Sequence, residues 1–362
     1  MGSFNFVATE TGSFYGSILG GFSGSKSIGR FYPKYFKVYL DETVFPPLVT
    51  DWLYPSSQNF TYMNQPFGVD EFYVEALNEN RDSVKNYVYF HSDLQADLVL
   101  DQIDSNGLFS GRFVAANQLT GSWPGKAGTA RLVNGKSVGK FSHSIGSTCS
   151  SSLCWSKKIA AQKYEDGPFN LNEVGQDTSI SIAAPISTGS NEDPIAFFNL
   201  DDQRLDVQPD IRFGRIDLDD VGGNSGSTIA IPLRAEYWNG SRFVLNEDDN
   251  ATNVEASTSA SDVVWSEDGG VTTTVTFDNG GQVSGGESRN LTASQGDDVS
   301  IREQVQLWQN MDDIPWLRYD WDSDKVSDEV NGEQDPSTVV TFGIYRGNDR
   351  VIYRGESGLT GQ

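Results

Sequence analysis

The stretch Ser227-Thr228-Ile229-Ala230-Ile231-Pro232-Leu233-Arg234-Ala235-Glu236-Tyr237-Trp238-Asn239-Gly240-Ser241-Arg242-Phe243-Val244-Leu245 decides the fold class. Ile229, Ile231, Leu233, Ala235 and Tyr237 occupy every second position, which sets them on one face of an extended chain. Asn239-Gly240 then interrupts the alternation before Arg242 to Leu245 resumes it. Asn-Gly between two such runs predicts a type I′ hairpin, whose central residues both need positive φ. The same period recurs on either side, with Phe72, Val74 and Ala76 on one face of an upstream run. Further strands are predicted over 36–40, 211–218, 271–277 and 299–308, and a second hairpin runs from Thr341 to Tyr353 through Arg346-Gly347-Asn348-Asp349. A sustained 3.6-residue stripe is almost nowhere present. Short strands at this spacing predict an all-β protein of two tandem β-sandwiches, immunoglobulin-like or jelly-roll-like.

The polar stretch Ser187 to Pro194 is the expected boundary. It divides the chain into leading strands over 1–28, a sandwich over 29–188 and a C-terminal sandwich over 189–362. A chain of 362 residues fits two domains on the usual size of a single core.

Charge excludes some functions. Fifty acids against 26 Lys and Arg give a formal charge of -24, and such a surface repels a phosphate backbone or an anionic lipid face. Nucleic acid is therefore excluded as a partner, and the acidity suits salty water, where screening is short-ranged. No apolar run is long enough to span a membrane. The two cysteines, Cys149 and Cys154, lie in a Ser-rich stretch without the further ligands that zinc needs. They are expected to form a local disulfide, which places the chain outside the cytoplasm.

Catalytic material is scarce. His91 and His143 are the only histidines, and neither lies beside a nucleophile motif. The chain is expected not to be an enzyme. Acids are better placed for a metal: in Asp320-Trp321-Asp322-Ser323-Asp324-Lys325-Val326-Ser327-Asp328, carboxylates fall at loop positions 1, 3, 5 and 9, the oxygen-rich spacing that wraps calcium. Asp320, Asp322, Asp324 and Asp328 are thus candidate calcium ligands, although Lys325 stands where such a loop turns on glycine. Among the eight tryptophans, Trp321 beside this loop and Trp155 beside Cys154 are the expected exposed ligand contacts, as platforms for sugar rings.

Several ordered strings carry a resemblance. Gly29-Arg30-Phe31-Tyr32-Pro33-Lys34-Tyr35-Phe36, Arg212-Phe213-Gly214-Arg215-Ile216, Leu233-Arg234-Ala235-Glu236-Tyr237-Trp238-Asn239-Gly240, Trp316-Leu317-Arg318-Tyr319-Asp320-Trp321-Asp322 and Thr341-Phe342-Gly343-Ile344-Tyr345-Arg346-Gly347-Asn348-Asp349 resemble the MshQ-like family of the mannose-sensitive haemagglutinin (MSHA) type IV pilus locus. The resemblance implies an extracellular, pilus-associated adhesin or tip component, represented here by its C-terminal part, with pilin or other pilus subunits as partners. It carries no catalytic residue. A carbohydrate-binding or carbohydrate-active module that meets surface glycans, and a structural stalk that docks on pilins by strand addition, are the alternative readings. Exposed aromatics would favour the former, and a free, uncharged edge strand the latter.

Overall fold

A computed structural model describes residues 2–10, 13–14, 17–18, 22–90, 95–96, 98–104, 111–115, 119–123, 133–157, 166–167, 169–170, 178–183, 196–269, 274–296, 300–321 and 332–343. Among the described residues the regular structure is almost wholly strand, as the alternation predicts. Among the described residues no helix is long and apolar enough to cross a membrane. The chain forms two compact units. One comprises Met1–Pro55, Pro66–Ser156 and Asn170–Asp210, and the other Ser56–Gln65, Lys157–Phe169 and Ile211–Gln362. The expected boundary at 188–189 lies outside the described residues, and the second unit takes over at Ile211.

The first unit is organised on the strand Gly68–Leu77, which is central in the sheet order Thr120–Ser122, Val138–His143, Gly68–Leu77, Tyr35–Val38, Ala196–Phe197. Register puts Phe36 opposite Ala76, Val38 opposite Val74, and Phe72 opposite Phe141, so one face is continuously apolar. Trp123 fills it, with its ring 5.0 Å from Phe36 and 4.8 Å from Tyr87. Position 139 must be glycine for this packing, because a Cβ there would lie 2.7 Å from the Phe141 ring and 3.0 Å from Trp123. A separate pair, Val99–Asp104 with Thr178–Ala183, buries Leu100, Ile180 and Ile182. Beside it Gln208 stands in for a neighbouring strand: its Oε1 accepts the Ile180 N–H at 2.7 Å and its Nε2 donates to the Ile180 carbonyl at 3.0 Å. Together with the Leu205 N–H, 3.2 Å from the same carbonyl, and a bridge between Ser181 and Arg204, that side chain satisfies the outer backbone of the strand.

Residues 1–28 were expected as leading strands. Gly2–Glu10 and Phe22–Phe31 pair antiparallel as a two-stranded ribbon. Register gives it two unlike faces, with Phe4 opposite Ile28 and Phe6 opposite Lys26 on one, and Asn5 opposite Ser27 and Val7 opposite Ser25 on the other. Phe4 stacks on Phe31, ring centroids 6.1 Å apart. Every side chain described in residues 4–9 and 23–29 is exposed, including Phe4 at 53% and Phe6 at 57%.

The second unit contains the deciding stretch. Leu233–Trp238 pairs with Gly214–Leu218 on one side and Phe243–Leu245 on the other. Ile216, Leu218, Leu233 and Ala235 face a core completed by Val305, Leu307, Val340 and Phe342, which come from the paired strands Glu303–Gln309 and Ser337–Phe342. Two details depart from expectation. The run from Ile229 is not one strand, since Ile229–Ala230 pairs with Thr292–Ser294 and the chain passes to the other sheet across Pro232, which cannot donate to a ladder. The turn is also not type I′. Asn239 N–H bonds to Arg242, and Gly240, at φ 97°, is its positive-φ residue, so glycine takes the first central position as in a II′ hairpin. Asn239 Oδ1 accepts from the Ser241 and Arg242 N–H groups, both at 3.0 Å, and fixes that choice. The second predicted hairpin lies outside the described residues beyond its first strand, Ser337–Phe342.

Candidate functional site

Strand alternation places Arg215 and Glu236 on the outer face of the second unit's sheet, directly opposite one another. Arg215 Nε donates to Glu236 Oε2 at 2.9 Å. The guanidinium lies 3.8 Å from the Phe243 ring centroid, 4.8 Å from Trp321 and 5.1 Å from Tyr319. The rings meet edge-on: Phe243 and Tyr319 are 5.1 Å apart, Tyr319 and Trp321 5.3 Å, and Trp238 and Phe243 5.4 Å. Each cation–π contact is worth about 0.5–2 kcal/mol depending on its desolvation. Trp321 is therefore half-buried and engaged by the protein's own arginine. Its Nε1 is buried with no hydrogen-bond partner.

Asp320 is buried next to this cluster, beyond Tyr319, which bridges Gln334. Asp322, Asp324 and Asp328 lie outside the described residues. Among the described residues no group of three metal-ligating side chains occurs.

Trp155 requires a correction. It was expected as an exposed contact, but it is fully buried in the strand Leu153–Trp155, opposite Phe113, with the Arg112 guanidinium 5.9 Å from its ring. A ring with no exposed area has no face to offer a sugar. The neighbouring Cys149 and Cys154 do form a disulfide, with Cα atoms 5.2 Å apart. His143 is buried too, its Nδ1 2.8 Å from the Ser144 carbonyl oxygen, and His91 lies outside the described residues.

Two buried polar groupings in the second unit were not legible beforehand. Asp249, fully buried, accepts from Tyr62 Oη at 2.7 Å, from Gln58 Nε2 at 2.9 Å, and from the Thr252 N–H and hydroxyl at 2.9 and 2.6 Å. Burial, and then the charge of Asp249, push the Tyr62 phenol well above its ordinary pKa. Lys157 Nζ is held by Glu333 Oε1 and the Arg318 carbonyl, each at 2.9 Å, 5.3 Å from the Phe213 ring. Partners separated by 187 and 176 residues leave no local signature in a sequence. Both are structural contacts whose charged groups are held by several partners.

The exposed tryptophan is one that the sequence did not single out. Trp265 is 46% exposed on Thr258–Ser266, the edge strand of the sheet that includes Glu303–Gln309. A bulge between Val263 and Trp265 shifts the register, so Val264 and Trp265 together oppose Gln304. Val264 is exposed beside it, at 54%. Bulges re-aim side chains in this way, and the consecutive apolar residues Val263-Val264-Trp265, unlike an alternating run, were the available signal.

Residues 1–192 match the family model described as DUF6701, third domain, and residues 212–357 that described as DUF6701, fourth domain. No curated protein matches the chain. Among solved structures the chain is similar to the adhesin InvE of Yersinia pseudotuberculosis, at 10% identity and a TM-score of 0.25, covering 82% of this chain and 59% of that one. The chain thus spans less than two thirds of that structure's length.

Proposed function

The chain belongs to the DUF6701 family, and from that footing we propose that it is an extracellular, MshQ-like minor component of an MSHA-type pilus that docks on other pilus subunits by strand addition, without catalysis. The observation that carries this reading is the ribbon of Gly2–Glu10 and Phe22–Phe31, whose long strands pair with no third strand among the described residues and whose apolar side chains are exposed. Edges of this kind pair with a further strand. The disulfide and the acidic surface accord with an extracellular setting. The partner is a pilus subunit, added to the ribbon as a third strand. Immobilised chain should retain purified MSHA-type pilin, and Val7→Pro, which blocks strand pairing at an exposed position, should abolish retention. Equal retention by Val7→Pro, or none by the wild type, would sink the proposal.

The carbohydrate reading is favoured by a specific residue, Trp265 on its bulge. If it holds, Trp265→Ala loses glycan-array signal while Trp321→Ala, whose ring already packs on Arg215, keeps it. Calcium held by Asp320, Asp322, Asp324 and Asp328 belongs to the same proposal. At 100 times its dissociation constant it would add about 2.7 kcal/mol, seen as a melting temperature that EDTA lowers and Asp322→Ala makes insensitive to EDTA.

A further inference from the structure

A cleft of about 500 Å³ opens in the first unit, walled on one side by the strand Tyr35–Val38 and its continuation to Leu40, and on the other by the segment from Asp201 to Asp206 that includes the end of the short helix Leu200–Gln203. Its charges are unequally committed. Of the acids, Glu75 is 3.4 Å from Lys136 Nζ, and Asp206 accepts the Thr50 N–H at 3.1 Å together with the Thr50 hydroxyl. Lys136 in turn lies 5.0 Å from the Tyr39 ring. Two cations remain. Lys37 stands across from Glu75 in the sheet register and is exposed, and Arg204 gives its Nε to the Ser179 hydroxyl at 3.0 Å. Neither has a carboxylate within ion-pair distance among the described residues.

In a chain with 50 acids and 26 bases, this cleft is lined by equal numbers of each, Lys37, Lys136 and Arg204 against Glu75, Asp201 and Asp206, so it escapes the general acidity, and two of its cations have no carboxylate partner among the described residues. Two uncommitted cations can take an anion between them, and the arginine fork suits a carboxylate. The remainder of the wall suits more than a bare ion. Asp201 is exposed and can accept hydroxyl protons, while Leu40, 47% exposed, offers an apolar patch to a C–H face. The volume falls in the usual range for small-ligand clefts. We propose that this cleft binds a sugar acid, such as a uronic-acid residue of a surface polysaccharide, with its carboxylate between Lys37 and Arg204, its hydroxyls on Asp201 and its apolar face on Leu40. The cleft shares no lining residue with the ribbon or with the strand of Trp265, so it stands or falls independently of the pilus reading.

The test is calorimetric titration of the purified chain with digalacturonate, with neutral galactobiose and sodium sulfate as comparators. Saturable digalacturonate binding is expected, with galactobiose at least about tenfold weaker and Lys37→Gln and Arg204→Gln each about tenfold weaker than wild type. Lys37→Gln changes an exposed side chain with no hydrogen bond to lose, so it remains informative if Arg204→Gln perturbs folding; melting temperatures check both. The proposal is overturned if digalacturonate does not bind through the millimolar range, if Lys37→Gln binds as wild type does, or if galactobiose binds equally well. Displacement by equimolar sulfate would overturn the sugar assignment by reducing the cleft to a general anion patch.

Discussion

The ribbon Gly2–Glu10 with Phe22–Phe31 and the pair Gly214–Leu218 with Leu233–Trp238 are built alike and end differently. Both are antiparallel, both alternate, and both put larger apolar residues on one face. In the second pair that face meets Val305, Leu307, Val340 and Phe342 and is buried, whereas in the ribbon Phe4, Phe6, Ile28 and Phe31 remain exposed. The difference shows that alternation specifies a face but not its cover. A two-stranded sheet is marginal in water until a third element covers it, and the ribbon's described side chains have no such cover.

Substitutions in the covered sandwich and in the ribbon should differ sharply in their cost. Phe342→Ala, at a fully buried ring, should destabilise the second unit by about 3–5 kcal/mol in urea unfolding, whereas Phe6→Ala on the ribbon should register almost nothing. A comparable loss for both would mean that the ribbon is already covered. Asp249→Ala strips Tyr62, Gln58 and Thr252 of their acceptor and should cost about 3 kcal/mol, showing how far the covered sandwich depends on buried polar contacts that the ribbon lacks. Reduction of Cys149–Cys154, a loop closed over 5 residues of separation, should cost the first unit about 2 kcal/mol on the chain-entropy account, with the ribbon's hydrogen exchange unchanged.

Tyr62→Phe should cost about 1 kcal/mol near neutral pH and also alter the alkaline limb. The folded phenol titrates above its unfolded value of 10.0 because burial and Asp249 disfavour the phenolate. Its contribution is therefore complete below that value and is lost as pH rises above it. The variant should flatten the stability profile in that range, measured by unfolding at stepped pH. The smallest effect is expected of Phe6→Ser, within about 0.5 kcal/mol, with ribbon amides exchanging fast in both forms until the partner is added.

Much of the strand pattern was legible. Phe72, Val74 and Ala76 share the buried face that their spacing assigned, and the acidic composition and paired cysteines pointed to the extracellular class that the disulfide is consistent with. What failed to read through was the burial of single residues. Trp155 and Trp265 are indistinguishable as letters, yet one closes a core between Arg112 and Phe113 and the other is turned outward by a bulge. Trp321 falls between them because Arg215, 106 positions earlier by their numbers, reaches its ring. The cleft beside Lys37 was invisible for the same reason, since its walls come from Lys37 and Arg204 and no local motif joins them.

An all-β chain, the places of several of its longer strands, the apolar faces of those strands and a pair of cysteines near enough to bond could all be read from the sequence. Those properties follow from the two-residue period of an extended chain and from proximity along it, so a short window contains them. Only the tertiary structure decided which apolar faces are covered, that Asn239-Gly240 turns with glycine in the first central position, that Asp249 and Glu333 are buried beside distant partners, and that Lys37 and Arg204 face one cleft. Burial and electrostatic pairing depend on what approaches through space, and residues brought together across 100 or more positions leave nothing in either local stretch to announce their meeting.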